Sequence, residues 1–167
     1  MTIRRFALLV AGPRDFAINL VVNSTIPWLV FGSREEVALI GSPSVFHILL
    51  PMAFLLGSLT TFFGYFNGVK ERRAGVVLPG LERPVPWMRT AVHSGLLVGS
   101  ATLAVFVVLF FFCWQVADDV AVPRYWAIGG IALLSGLMGY VLHSAAVIRS
   151  GSIVCAPVPV ADGPAAA

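Results

Sequence analysis

Residues 91–113 read AVHSGLLVGSATLAVFVVLFFFC, twenty-three positions without a formal charge, with Arg89 just ahead of them. As a helix rising 1.5 Å per residue this run is ~34 Å long, enough to cross the ~30 Å hydrocarbon core of a bilayer. Three more uncharged stretches accompany it: Phe16 to Phe31, about Phe46 to Phe66, and Tyr125 to Ile148. Asp15, Arg34, Lys70, Arg89, Arg124 and Arg149 mark the edges. The first stretch is short. Its sixteen residues cover ~24 Å, and it carries Asn19, Asn23, Ser24, Thr25 and Pro27, so its flanks or a thinned bilayer must complete the crossing.

Composition points the same way. Of 167 residues, 58% are hydrophobic and only 11% charged, and mean hydropathy is +0.90; a soluble globule has about 25% charged residues. These figures exclude a disordered chain, a nucleic-acid-binding domain and a disulfide-stapled secreted scaffold. Cys113 and Cys155 fall at opposite ends of the expected bundle, too far apart to bridge. A charge at the bilayer centre costs at least ~2.5–3.5 kcal/mol, and all nineteen formal charges lie outside the four stretches.

Orientation follows from the basic residues, which are retained on the cytoplasmic side of short loops. Nine of eleven fall in the N-terminal segment (Arg4, Arg5, Arg14), the middle connection (Lys70, Arg72, Arg73, Arg83, Arg89) and the tail (Arg149). Arg34 and Arg124 alone occupy the other two connections, beside Glu35, Glu36, Asp118 and Asp119. The sequence thus predicts an all-α polytopic membrane protein with four transmembrane helices and both termini cytoplasmic. Trp28, Trp114, Tyr125 and Trp126 would form the outer aromatic belt, and Tyr65, Phe66 and Trp87 the inner one. Residues 1–15 read as a cytoplasmic interfacial segment, 16–148 as the transmembrane domain, and 149–167 as an Ala/Pro-rich tail that cannot order itself. Between the second and third spans, residues 67–90 read as extended surface chain.

Helices in lipid associate through small residues and interhelical hydrogen bonds. Gly95 and Gly99 in the third span, with Ala132, Ser135, Gly136 and Gly139 in the fourth, predict close packing, and the short connection suggests that these two spans pair with each other. In the first span Asp15, Asn19 and Asn23 recur every four residues, with Pro27 continuing the stripe. Such a face must meet another helix, in this chain or in a partner. Pro51, one turn after His47, is a kink candidate.

Three histidines enter the membrane zone. His93 and His143 match in depth, ~6–9 Å inside the basic boundary, and a bis-histidine haem b or a chlorophyll-type pigment would use such a pair. His47 lies near the outer end of the second span, where with Asn19 and Asn23 it could line a path for a neutral solute. The plainer reading gives each histidine one hydrogen bond near the interface. No metal-ligating or catalytic motif occurs, neither HExxH, GxSxG, P-loop nor CxxC. The absence of charge within the spans argues against ion-coupled transport.

The string PRDFAINLVVNSTIPWLVF at residues 13–31, followed by a Phe/Leu-rich span, a basic loop and a glycine-rich hairpin of spans, resembles a family of small bacterial four-helix inner-membrane proteins, sometimes labelled permease-like. The resemblance covers roughly residues 13–152 and carries no catalytic residue. Taken together, the expectation is a non-catalytic accessory or structural subunit of a larger inner-membrane complex. Its partners would be lipids and other membrane subunits, or further copies of itself, and no nucleic acid. A tetrapyrrole-binding subunit using His93 and His143 is the first alternative, and a small oligomeric transporter of a neutral solute the second.

Overall fold

A computed structural model describes residues 1–41, 43–81, 86–116 and 120–153. Asp118 and Asp119, Arg83 of the middle connection, and the tail beyond Ile153 with Cys155 lie outside these residues. The described chain is helical apart from two short strands, and four helices are long and apolar enough to cross a membrane: α1 (Ile3–Phe31), α2 (Val45–Arg73), α3 (Trp87–Val116) and α4 (Arg124–Ser150).

Each helix outruns the uncharged stretch that announced it, and α1 does so most. The segment expected to lie apart at residues 1–15 is the first part of α1, which at 29 residues is ~43 Å long. A π-helical turn, Ala7–Ala11, sits within it, and there the Gly12 N–H reaches back to the Ala7 carbonyl. Pro13 follows and has no N–H for the preceding turn, so the wide turn rearranges hydrogen bonds where the ladder is broken anyway. Tertiary packing supplies what local propensity lacks. Phe6, Ala7 and Ala11 are buried with Val77 and Val147. The Tyr140 hydroxyl donates to the Leu8 carbonyl at 3.2 Å and Ser144 Oγ to the Ala7 carbonyl at 3.0 Å.

The middle connection is also more structured than its composition suggests. Helix α2 continues through residues 67–73, and the following chain tucks Val77 and Leu81 inside. Arg72 organises this region. Its Nε donates to the Pro79 carbonyl at 2.9 Å and its guanidinium to the Ser150 carbonyl, an acceptor at the C-terminal end of α4 where helix donors run out and a cation is favoured. The N-terminus joins here: the Leu78 N–H donates to the Met1 carbonyl at 3.0 Å, and the Ile3 N–H to the Leu78 carbonyl at 3.3 Å.

At the opposite end, α1 stops at Gly32, whose positive φ of 56° suits a residue without Cβ. The two connections there pair as antiparallel strands, β1 (Glu36–Ala38) with β2 (Ala121–Pro123), in the register Glu36 with Pro123, Val37 with Val122 and Ala38 with Ala121. Val37 is buried beneath the pair among Phe31, Ile48, Met52 and Ile131. Ser44 caps α2 by accepting from the His47 N–H at 3.1 Å. The Arg124 N–H at the head of α4 donates to the Glu35 carbonyl at 2.9 Å, which satisfies one of the orphan donors of that helix start.

In space the helices follow the order α1, α4, α2, α3. The expected pairing of the third and fourth spans is therefore corrected: α3 packs principally on α2. A Cβ on Gly57 would stand 2.9 Å from Gly99 Cα, and one on Gly95 2.8 Å from the Ser58 carbonyl. Small residues on α3 meet a small residue on α2, and backbone contact outweighs closeness in sequence. The bundle is polar within and apolar without. Asn23, Thr60, Thr61, Ser135, His143 and Ser144 are buried, whereas Phe111 and Phe112 are 57% and 66% exposed. Trp28, Trp114, Tyr125 and Trp126 are all exposed at the end that carries the strands. An apolar exterior of this kind is compatible with a membrane protein.

Candidate functional site

The fourfold spacing of Asp15, Asn19 and Asn23 puts them on one face of α1, and the side chains bond to one another in sequence. Asn19 Nδ2 donates to Asp15 Oδ2 at 2.8 Å and to the Asp15 carbonyl at 2.9 Å. Asn23 Nδ2 donates to Asn19 Oδ1 at 3.3 Å. This ladder lies against α4 at Gly139, where an added Cβ would stand 2.6 Å from Asn19 Nδ2 and 3.0 Å from Asp15 Oδ2. Gly139 thus makes room for polar side chains of the neighbouring helix.

His143 sits one turn further along α4 and is only 1% exposed. Its Nδ1 lies 3.2 Å from Asp15 Oδ1, off the axis of the ring N–H. On the other side of the ring, Nε2 is 3.2 Å from Asn67 Nδ2 on α2. With the amide nitrogen facing it, Nε2 accepts, and Nδ1 carries the proton that faces the carboxylate. One histidine of α4 therefore joins α1 to α2, and the connected polar groups run Asn23, Asn19, Asp15, His143, Asn67.

The same residues floor a groove between α1 and α2, about 380 Å³ in volume. Asp15, Asn19, Asn23 and Thr60 supply its polar part; Ile18, Val22, Ile26, Leu55, Leu59 and Phe63 form apolar, exposed rims. The lining extends over residues 15–26 of α1 and 52–63 of α2, ~17 Å along each helix. Its hydrogen-bonding capacity is incomplete at the Asn23 end. Among the described residues Asn23 Oδ1 accepts nothing, and Pro27 has no N–H to give to the Asn23 carbonyl one turn back. Both open groups are acceptors.

The sequence-predicted residues are distributed as follows. Asn19 and Asn23 belong to the groove. Gly95 and Gly99 pack on α2; Ala132 and Ser135 are buried in α4, with Ser135 Oγ donating to the Ile131 carbonyl at 2.6 Å; Gly136 lies against the Phe16 ring; and Gly139 lies against Asp15 and Asn19. His93 and His143 are not brought together. His93 is exposed on α3, whereas both ring nitrogens of His143 face protein groups at 3.2 Å. His47 is exposed at the start of α2 and is not among the groove residues. Pro51 is accommodated within a continuous α2.

Asp15 and Asn67 are the contributors that sequence reading left at the margins, Asp15 as the edge of a span and Asn67 as the start of a loop. The fourfold stripe already contained Asp15. Nothing local marked Asn67, whose partner is 76 residues away. Among the described residues no group of three or more His, Cys, Asp or Glu is gathered for a metal ion. No family model, curated protein or solved structure matches this chain.

Proposed function

We propose that this protein is a non-catalytic subunit of a larger assembly in a bacterial inner membrane, with both termini cytoplasmic, and that a transmembrane helix of a partner protein lies in the α1/α2 groove. One observation carries this reading: a hydrogen-bonding floor of Asp15, Asn19, Asn23 and Thr60 faces outward between apolar rims. In hydrocarbon an uncovered amide or carbonyl is costly, and a helix that supplies its missing bond gains about 0.6–2 kcal/mol for each. Two parallel stripes with three- and four-residue spacing form the kind of trough into which the ridge of a third helix fits. Because the open valences at Asn23 are acceptors, the partner must present a donor there, a Ser, Thr, Asn or Gln set among small residues.

The test is photo-crosslinking in intact membranes. A crosslinker placed at Val22 or Leu59 should give an adduct with a transmembrane segment of another protein, while one at Phe112 on the outer face of α3 should give none. Asn19→Leu with Asn23→Leu should abolish the adduct and leave the chain helical and monodisperse. Adducts of equal yield from all three positions, or adducts only with a second copy of this chain, would overturn the proposal.

A further inference from the structure

The end of the bundle that collects Arg4, Arg5, Arg72, Arg89 and Arg149 also contains a cleft of about 160 Å³, lined by Phe66, Val69, Lys70, Arg73 and Trp87. Its geometry follows from helix periodicity: Phe66, Lys70 and Arg73 are four and three residues apart and share one face of the last turns of α2. Trp87, the first residue of α3, closes the other side. Its ring centroid lies 6.0 Å from that of Phe62 and 5.7 Å from that of Phe66, so the aromatic wall is held by edge and face contacts.

The cations divide by direction. Arg72 turns inward to the Pro79 and Ser150 carbonyls. Lys70 and Arg73 on either side of it are exposed, and among the described residues neither makes a hydrogen bond or ion pair. Two like charges thus converge on a cleft whose remaining walls are aromatic or aliphatic. Polarity is graded along α2, with charge at the helix end, aromatic rings one turn in, and exposed Leu59 and Leu55 further toward the middle. That is the order of polarity in an amphiphile with an anionic head.

We propose that this cleft binds the phosphate of an anionic phospholipid, with Lys70 and Arg73 on the phosphate oxygens and Phe66 and Trp87 against the glycerol and first acyl methylenes. Guanidinium and ammonium groups recognise phosphate in complementary ways, the first as a planar fork and the second as a point charge. Basic pockets between helices at this depth are the known form of headgroup recognition. A free phosphate would use the two cations and leave the aromatic wall without a role. This inference is independent of the partner helix, whose groove opens on a different set of α2 residues.

The full chain, carrying Trp28, Trp114 and Trp126 replaced by Phe, is reconstituted in phosphatidylcholine vesicles, and Trp87 fluorescence is quenched with brominated lipid. Brominated phosphatidylglycerol should quench more strongly than brominated phosphatidylcholine. Lys70→Gln with Arg73→Gln should weaken that preference roughly tenfold or more, and Arg4→Gln with Arg5→Gln should leave it intact. Millimolar inorganic phosphate should not relieve it. Native mass spectrometry of the chain with all its tryptophans provides a second readout, in which the Lys70/Arg73 variant retains one anionic lipid fewer. Equal quenching by both lipids, a preference that survives the double substitution, or displacement by inorganic phosphate would each overturn the proposal.

Discussion

Gly139 faces two polar side chains of α1, whereas Gly129 and Gly130, on the same helix, have open space where a Cβ would stand. The same substitution should therefore have opposite signs at the two places. Gly139→Ala pushes Asn19 and Asp15 off α4 and should cost about 1–3 kcal/mol as overpacking. Gly129→Ala removes backbone freedom from the unfolded chain and should stabilise by up to about 1 kcal/mol. Denaturant titration of the two variants in detergent, followed by circular dichroism, checks both. Equal shifts would mean that the α1/α4 contact is not as close as described. At this scale the sequence was informative wherever spacing was local. Asn19 and Asn23 announce a shared face four residues apart, but the link from His143 to Asn67 joins distant segments, and no periodicity encodes it.

Helix ends were harder to read than helix centres, for an identifiable reason. Charge ends an apolar run in hydropathy without ending the helix, because a cation can be exposed, as at Lys70, or satisfied internally, as at Arg72. Residues 67–73 therefore looked like loop although they are two turns of α2. Similarly, Pro13, Arg14 and Asp15 looked like a break although the π turn and the buried Phe6, Ala7 and Ala11 carry the helix through. Arg72 bonds two carbonyls from separate segments, and hydrogen bonds to a charged group are worth about 1.5–3 kcal/mol each. Arg72→Leu should thus loosen residues 76–81 and the first turn of α1 together. Hydrogen exchange reads this directly: the amides of Leu78 and Ile3, which pair with the N-terminal strand and with Leu78, should exchange faster, and those of mid-α3 should not. Protection lost throughout the chain would mean that Arg72 supports global stability rather than this corner.

For the whole molecule, the number of helices was legible from four uncharged runs, but their arrangement was not. Sequence neighbours α3 and α4 were the natural pair, yet α2 stands between them because Gly57 offers α3 a closer approach. The proposed orientation has a direct test. In a background with Cys113 and Cys155 replaced by serine, Glu35→Cys should react with a membrane-impermeant thiol reagent on intact cells, and Arg5→Cys only after lysis. The reverse pattern would invert the topology. A mechanical consequence follows from the two ends of α1. Its start is tied to Leu78 by backbone bonds, and the strand that follows its last turn is tied to residues 121–123. Its ladder is interrupted at two points, the π turn at Ala7–Ala11 and Pro27, and the groove segment 15–26 lies between them. A rod pinned at both tips and weakened at two joints does not swing open; it bows. Whatever occupies the groove therefore shifts one stiff middle section sideways, and that displacement bears on Asp15, which carries it to His143 and to α2.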